Sequence, residues 1–130
     1  MTEPTTLRAL LVDEDPTWRL LLSISLRDAG FEVRTAADND TADGLLRLLT
    51  VDAVIVDLHP PTDAGLELIG RIERSMSAPP VVALLPKRSA ELERKCLGSG
   101  AQLCLFKPMK AREFTESVRT ACRASREAPS

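Results

Sequence analysis

Residues 52–57 read DAVIVD, four apolar residues in unbroken succession between two aspartates. A surface helix would interrupt such a run with polar residues, and a strand with one wet face would alternate. A short stretch that is apolar on every side suits a strand buried on both faces, in the middle of a parallel sheet. Parallel neighbours cannot be joined by a tight hairpin, so the rest of the chain has to supply crossovers, usually helices. It does. LRALLV (7–12), FEVRT (31–35), PVVALL (80–85) and QLCLF (102–106) read as four further strands, and a longer amphipathic run separates each strand from the next.

Asp15-Pro16 opens the first of these runs, an acceptor side chain followed by proline at the first helical position, and Gly30 closes it after Ala29. Residues 40–49 make a weaker helix, because Gly44 lies in its interior. Residues 65–77 place Leu68, Ile69, Ile72 and Met76 on one side. AELERKCLGSG, from residue 90 to residue 100, reads as a fourth helix, and 110–124 carries Phe114, Val118, Ala121 and Cys122 on one stripe. Strict alternation of this kind predicts an α/β fold, an open five-stranded parallel sheet with helices on both faces and the flavodoxin-like order 2-1-3-4-5. The chain reads as one domain over 1–124, with 125–130 as a tail or the stump of a linker.

The charge balance narrows the partners. A formal net charge of −2 offers no basic surface for direct contact with nucleic acid or an anionic membrane. The aromatics are Trp18, Phe31, Phe106 and Phe114, too few for a platform that stacks bases, so the core is built of aliphatic residues. Cys96, Cys104 and Cys122 have no paired spacing, and MTEPTTLRAL has no secretory character, which reads as reduced thiols in the cytoplasm. With a single histidine, His59, a zinc site is not expected, and no apolar run is long enough to span a membrane.

In a sheet of the predicted order, function belongs at the carboxyl ends of the strands, near the point where strand order reverses. Strand 1 ends in Asp13-Glu14-Asp15, strand 3 in Asp57, strand 4 in Leu85 and strand 5 in Lys107-Pro108. Strands 1 and 3 are neighbours, about 4.8 Å apart. Like charges about 4 Å apart repel by roughly 4 kcal/mol at an effective dielectric of about 20. The cluster must therefore take up a proton, bind a cation or recruit a basic side chain. Mg²⁺ suits it, needing one or two carboxylates and filling its octahedron with water and phosphate oxygens. Lys107, roughly 10 Å from Asp57 by strand spacing, is long enough to reach a phosphoryl group carried there. Together they suit attack by the Asp57 carboxylate on phosphorus.

LLVDEDPTWR, VIVDLHPPTDAG and GAQLCLFKP, in that order and on those strand ends, resemble the response-regulator receiver family over nearly the whole chain. The resemblance implies that Asp13, Glu14, Asp57 and the backbone carbonyl of His59 bind Mg²⁺. It implies that Asp57 accepts a phosphoryl group from a histidine kinase or a small phosphodonor, and that Lys107 binds that group. The Lys107–Pro108 bond is then cis, X-Pro being the one link where cis costs little. A protein partner or a second copy of the chain would meet the face made by helix 4, strand 5 and helix 5. Such a domain signals rather than catalyses.

The chain departs from the family pattern at four places. Glu14 stands where Asp is usual, and Pro60 replaces Met, so that Pro60-Pro61 stiffens the loop after Asp57. Leu85, followed by Pro86, stands where a Ser or Thr hydroxyl would bond the phosphoryl group. Cys104 stands where an aromatic residue is coupled to that hydroxyl. The pocket is spelled out, but both members of the switch pair are missing.

Two other readings compete. A pseudo-receiver would use the same fold to bind protein without phosphorylation, and Glu14, Leu85 and Cys104 lean that way. The D-x-D-x-T spelling from Asp13 to Thr17 also matches a haloacid-dehalogenase-type phosphatase with Asp13 as nucleophile and Asp15 as acid/base. That chemistry needs a Ser or Thr ending the next central strand and a late acidic pair. Asp57 and KPMKAR occupy those places, and Asp15 reads as a helix cap.

Overall fold

In the computed structural model, which describes residues 6–60 and 62–127, strands and helices alternate without exception. They are β1 (Arg8–Val12), α1 (Pro16–Asp28), β2 (Glu32–Ala36), α2 (Asn39–Leu48) and β3 (Ala53–Asp57). Then come α3 (Asp63–Glu73), β4 (Val81–Leu85), α4 (Ala90–Ser99), β5 (Leu103–Phe106) and α5 (Ala111–Glu127). The strands form one parallel sheet in the order β2-β1-β3-β4-β5.

The period of two along each strand divides the core into two layers. On β4, Val82 and Leu84 face α1 and α5, where they meet Leu22, Leu26, Phe114 and Val118. Val81, Ala83 and Leu85 face the other way, toward Ala42, Leu68, Ile69, Ile72 and Cys96 from α2, α3 and α4. Every residue of β4 and the first four of β3 are buried, as a doubly covered sheet requires.

Local chemistry sets the crossovers. Asp15 caps α1 by accepting from the amides of Thr17 and Trp18, with Pro16 at the first position. Gly30, at φ 96°, lets the chain leave the helix, and the amide of Phe31 bonds back to Leu26. Asp38 and Ser89 cap α2 and α4 in the same manner as Asp15.

Two helix ends differ from the sequence reading. α3 stops at Glu73 rather than running to residue 77, because the Ser75 amide and hydroxyl both bond back to the Ile72 carbonyl and turn the chain. Met76 is consequently fully exposed and no part of the apolar side of α3. α5 continues to Glu127, so residues 125–127, read as tail, belong to the helix. The rest of that tail lies outside the described residues, as do Pro61 of the stiffened loop and residues 1–5. Among the described residues, no helix is long and apolar enough to cross a membrane.

Candidate functional site

Strand order reverses at β1, and the register pairs Val12 with Val56. The next residue on each strand is therefore Asp13 and Asp57, side by side at the carboxyl end of the sheet. The amide of Asp13 bonds the Ala36 carbonyl at 3.0 Å, and that of Leu58 bonds Leu84 at 2.8 Å. On the far side, the Lys107 amide bonds the Leu85 carbonyl at 2.9 Å. The functional side chains thus leave from backbone that still belongs to the sheet, and their positions are as fixed as the strands.

Asp13 is 1% exposed, and the side chain of Asp57 is 3% exposed. Two carboxylates this deep need compensation. Lys107 supplies it, with Nζ 2.6 Å from Asp57 Oδ1 and 3.3 Å from Asp13 Oδ2. Asp13 Oδ1 also accepts the Asp15 amide at 2.9 Å. Burial pushes the Asp13 carboxyl above its ordinary 3.8, and the charge of Asp57 adds to that; the Asp15 amide and Lys107 pull against it. The second oxygen of Asp57, Oδ2, is buried and has no hydrogen-bond partner among the described residues. The carboxylate is therefore gripped on one side and open on the other.

Asp13 and Asp57 line a cleft of about 400 Å³ together with Glu14, His59, Asp38 and Asp40. A larger cleft of about 560 Å³ lies beside the amino ends of β3 and β4, lined by Leu46, Val51, Arg71 and Pro79, and holds none of these acids. The smaller one is where the chemistry converges. Glu14 is mostly exposed, and its carboxylate lies 3.6 Å from His59 Nε2. Among the described residues, no three His, Cys, Asp or Glu side chains converge as a ready-made metal cluster. Mg²⁺ does not require one, since it keeps most of its water and takes one or two carboxylates. An all-oxygen donor set with an unpartnered, buried Asp57 Oδ2 fits such a hard cation.

Other predicted residues fall as follows. Asp15 caps α1, its Oδ1 accepting the amides of Thr17 and Trp18, as the sequence reading of a helix cap expects. Leu85 is wholly buried, and Cys104 is half-buried against the same layer beside Cys96 and Phe106. No hydroxyl enters the site from β4. The Lys107–Pro108 peptide is cis.

Two contacts had no signal in the residue pattern. Arg19 donates to the carbonyl of Asp13 at 2.8 Å and, more weakly, to that of Glu14. Lys107 Nζ also sits 4.4 Å from the centroid of the Trp18 ring. Trp18 and Lys107 are far apart in sequence, and only the order of the strands brings them together.

The fold and this arrangement define a class, a parallel α/β sheet with an acid–acid–lysine triad at its switch point. The family profile described as "Response regulator receiver domain" matches residues 9–119. The chain belongs to the response regulator receiver family, a family of signalling domains of two-component systems. It is 34% identical over 109 residues to the sensor protein EvgS of Escherichia coli K12, covering 84% of this chain and 9% of that protein. It is also 34% identical over 122 residues to the DNA-binding response regulator MtrA of Mycolicibacterium smegmatis, covering 94% of this chain and 53% of that one. The chain thus spans about half the length of one relative and under a tenth of the other. Among solved structures, the chemotaxis response regulator CheY4 of Vibrio cholerae aligns with a TM-score of 0.82 at 27% identity, over 90% of this chain and 99% of that one. A response regulator from Chloroflexus aurantiacus aligns at 0.86, also at 27% identity, over 92% and 99%. Receiver domains typically bind Mg²⁺ at their phosphorylation site.

Proposed function

We propose that this receiver accepts a phosphoryl group on Asp57 and that its switch is atypical. The observation that carries the reading is the state of the Asp57 carboxylate. One oxygen is held at 2.6 Å by Lys107, while the other is buried and unpartnered at the wall of an acid-lined cleft. An oxygen stripped of water with a free lone pair is a prepared nucleophile. It attacks phosphorus, an O–P bond forms, and the bond from phosphorus to the donor's nitrogen or oxygen breaks. The leaving imidazole or acetate takes the electron pair. The Lys107 ammonium, already at the site, turns from Asp57 Oδ1 to an oxygen of the incoming group and offsets its charge.

Asp13, Glu14, Asp57 and the carbonyl of His59 are the residues that would hold Mg²⁺. When bound, the ion supplies charge neutralisation for the transferring group. Glu14 would first leave His59. A histidine kinase or a small phosphodonor is the source, and the cytoplasm is the compartment we assign. The face of α4, β5 and α5 is the surface through which a protein partner or a second copy would be met. Output chemistry would lie in that partner or in a further domain beyond residue 130.

A second reading has its own support. Leu85 is wholly buried and Cys104 carries no aromatic ring, so a pseudo-receiver that binds protein without phosphorylation remains the competing function. Intact mass after incubation with acetyl phosphate or phosphoramidate separates the two. A Mg²⁺-dependent gain of one phosphoryl group, absent in Asp57→Asn, is the expected result. No adduct from either donor would give the field to the pseudo-receiver.

A further inference from the structure

Trp18 is the one tryptophan of the chain, and its ring does more than cover apolar surface. The ammonium of Lys107 lies 4.4 Å from the ring centroid, within the range where the negative face of an indole attracts a cation. The same ammonium is paired to Asp57 and Asp13, and the lysine side chain is only 10% exposed. Two carboxylates and the indole therefore converge on one ammonium.

The ring is itself held. Its backbone amide is the second donor to the Asp15 cap, at 3.2 Å, and the ring packs against the core layer beneath α1 and α5. Arg19, the next residue, ties the first turn of α1 to the carbonyl of Asp13. The turn that carries the indole is therefore fastened to the loop that carries the acid.

We infer that Trp18 is a positioning residue that holds the Lys107 ammonium over the phosphoryl site. This rests on the reading of Asp57 as the phosphoacceptor. The two carboxylates cannot do the task alone, because phosphoryl transfer requires Lys107 to leave Asp57 Oδ1 for a new oxygen. An indole face attracts the ammonium without directional demand, so the ammonium turns without losing that support. The position matters more here than where a hydroxyl shares the phosphoryl group. Of the strand-end side chains Asp13, Asp57, Leu85 and Lys107, only the lysine can donate a hydrogen bond. A flexible four-carbon stem left unsupported would spread its ammonium over many positions.

The test compares Trp18→Leu, which keeps apolar bulk, with Trp18→Phe, which keeps a ring face. Initial rates of phosphoryl gain from acetyl phosphate at saturating Mg²⁺ are read by intact mass on the full chain, with wild type and Asp57→Asn alongside. Trp18→Leu is expected to be about threefold to tenfold slower, and Trp18→Phe to stay within about twofold of wild type. A purely structural role would not sort the variants by ring face. In parallel, the indole emission of unphosphorylated wild type is compared with that of Lys107→Gln, and a change in intensity or wavelength is expected.

Equal rates for wild type and Trp18→Leu overturn the inference and leave the Asp57 reading intact. No phosphoryl gain in wild type removes the Asp57 reading and the inference with it. Should Trp18→Leu fail to fold, the emission decides, and identical spectra for wild type and Lys107→Gln overturn the contact.

Discussion

The carboxyl ends of the strands divide into two regions of opposite character. Around β1 and β3, Asp13 and Asp57 are buried and charged and depend on one lysine. At the end of β4, Leu85 is sealed into the core, and Cys104, within β5, rests against the same layer. A buried ion cluster is a poor source of stability, and well-packed apolar residues often serve as well or better. A hydrophobic strand end has no such penalty. The first region is held by charge pairing, and the second by packing. If the pocket serves as proposed, it does so with neither a hydroxyl at Leu85 nor an aromatic ring at Cys104.

Removing the compensating charge is the largest expected disturbance. Lys107→Ala leaves two carboxylates facing each other without a cation and should lower unfolding stability by about 3 kcal/mol at neutral pH. Adding Asp57→Asn to it removes the repulsion between the two acids and should recover about 1 kcal/mol or more, so the pair is non-additive. Urea unfolding of the single and double variants, in metal-free buffer, measures both. Strict additivity would mean that Lys107 and Asp57 do not feel one another, and the contrast between the two regions would lose its electrostatic basis.

Leu85→Thr attacks the other region. It exchanges a wholly buried isobutyl group for a smaller side chain with a hydroxyl, and a loss of about 2 kcal/mol is expected. If Asp57 is phosphorylated as proposed, the new hydroxyl should also lengthen the life of the aspartyl phosphate, read as the half-time of mass loss after the donor is removed. A variant with unchanged stability would show that the β4 end has slack, contrary to its full burial.

Much of this was legible in the sequence. The unbroken DAVIVD run and the alternation around it specify a parallel sheet, and the sheet's order then places Asp13, Asp57 and Lys107 at one end. Those three needed only strand ends, which local pattern reports well. The support around them did not show, because it depends on through-space geometry. Trp18 meets Lys107 only after all four crossovers have been closed, and Glu14 turns toward His59 rather than standing free. Met76 was misplaced for a nearer reason. It continues the helical period of Leu68, Ile69 and Ile72, but Ser75, Ser77 and the Pro79-Pro80 pair end the helix sooner than the period does.

A smaller effect should follow pH. The Asp13 carboxyl titrates above 3.8 in the folded chain, because burial disfavours its charge. Over the window from 3.8 up through that raised value, the folded state binds more protons than the unfolded state, so this group makes stability fall as pH rises. Asp13→Asn deletes the titration. The stability of wild type relative to Asp13→Asn should therefore improve as metal-free buffer is acidified toward pH 4, followed by thermal unfolding. A relative loss on acidification would mean that Lys107 and the Asp15 amide outweigh burial and that the acid is comfortable in its site.

The smallest signal, and the most direct on whether the two regions communicate, comes from the thiols. Burial pushes Cys96 up to about 12, with Cys104 and Glu93 adding to it, and burial likewise raises Cys104. At pH 8 a thiol with a pKa of about 12 is thiolate in only about one molecule in ten thousand, so Cys96 should alkylate far more slowly than a free cysteine, and Cys104, raised by burial, should also be slower than one. Beryllofluoride, which mimics a phosphoryl group, should then leave the Cys104 rate unchanged if the β4–β5 end does not follow the pocket. A clear acceleration with beryllofluoride, absent in Asp57→Asn, would show that β5 moves when the site fills. The chain would then possess a relay that uses neither a hydroxyl nor an aromatic ring, and the packing of Leu85 against Ala83 and Cys96 would be the place to look for it.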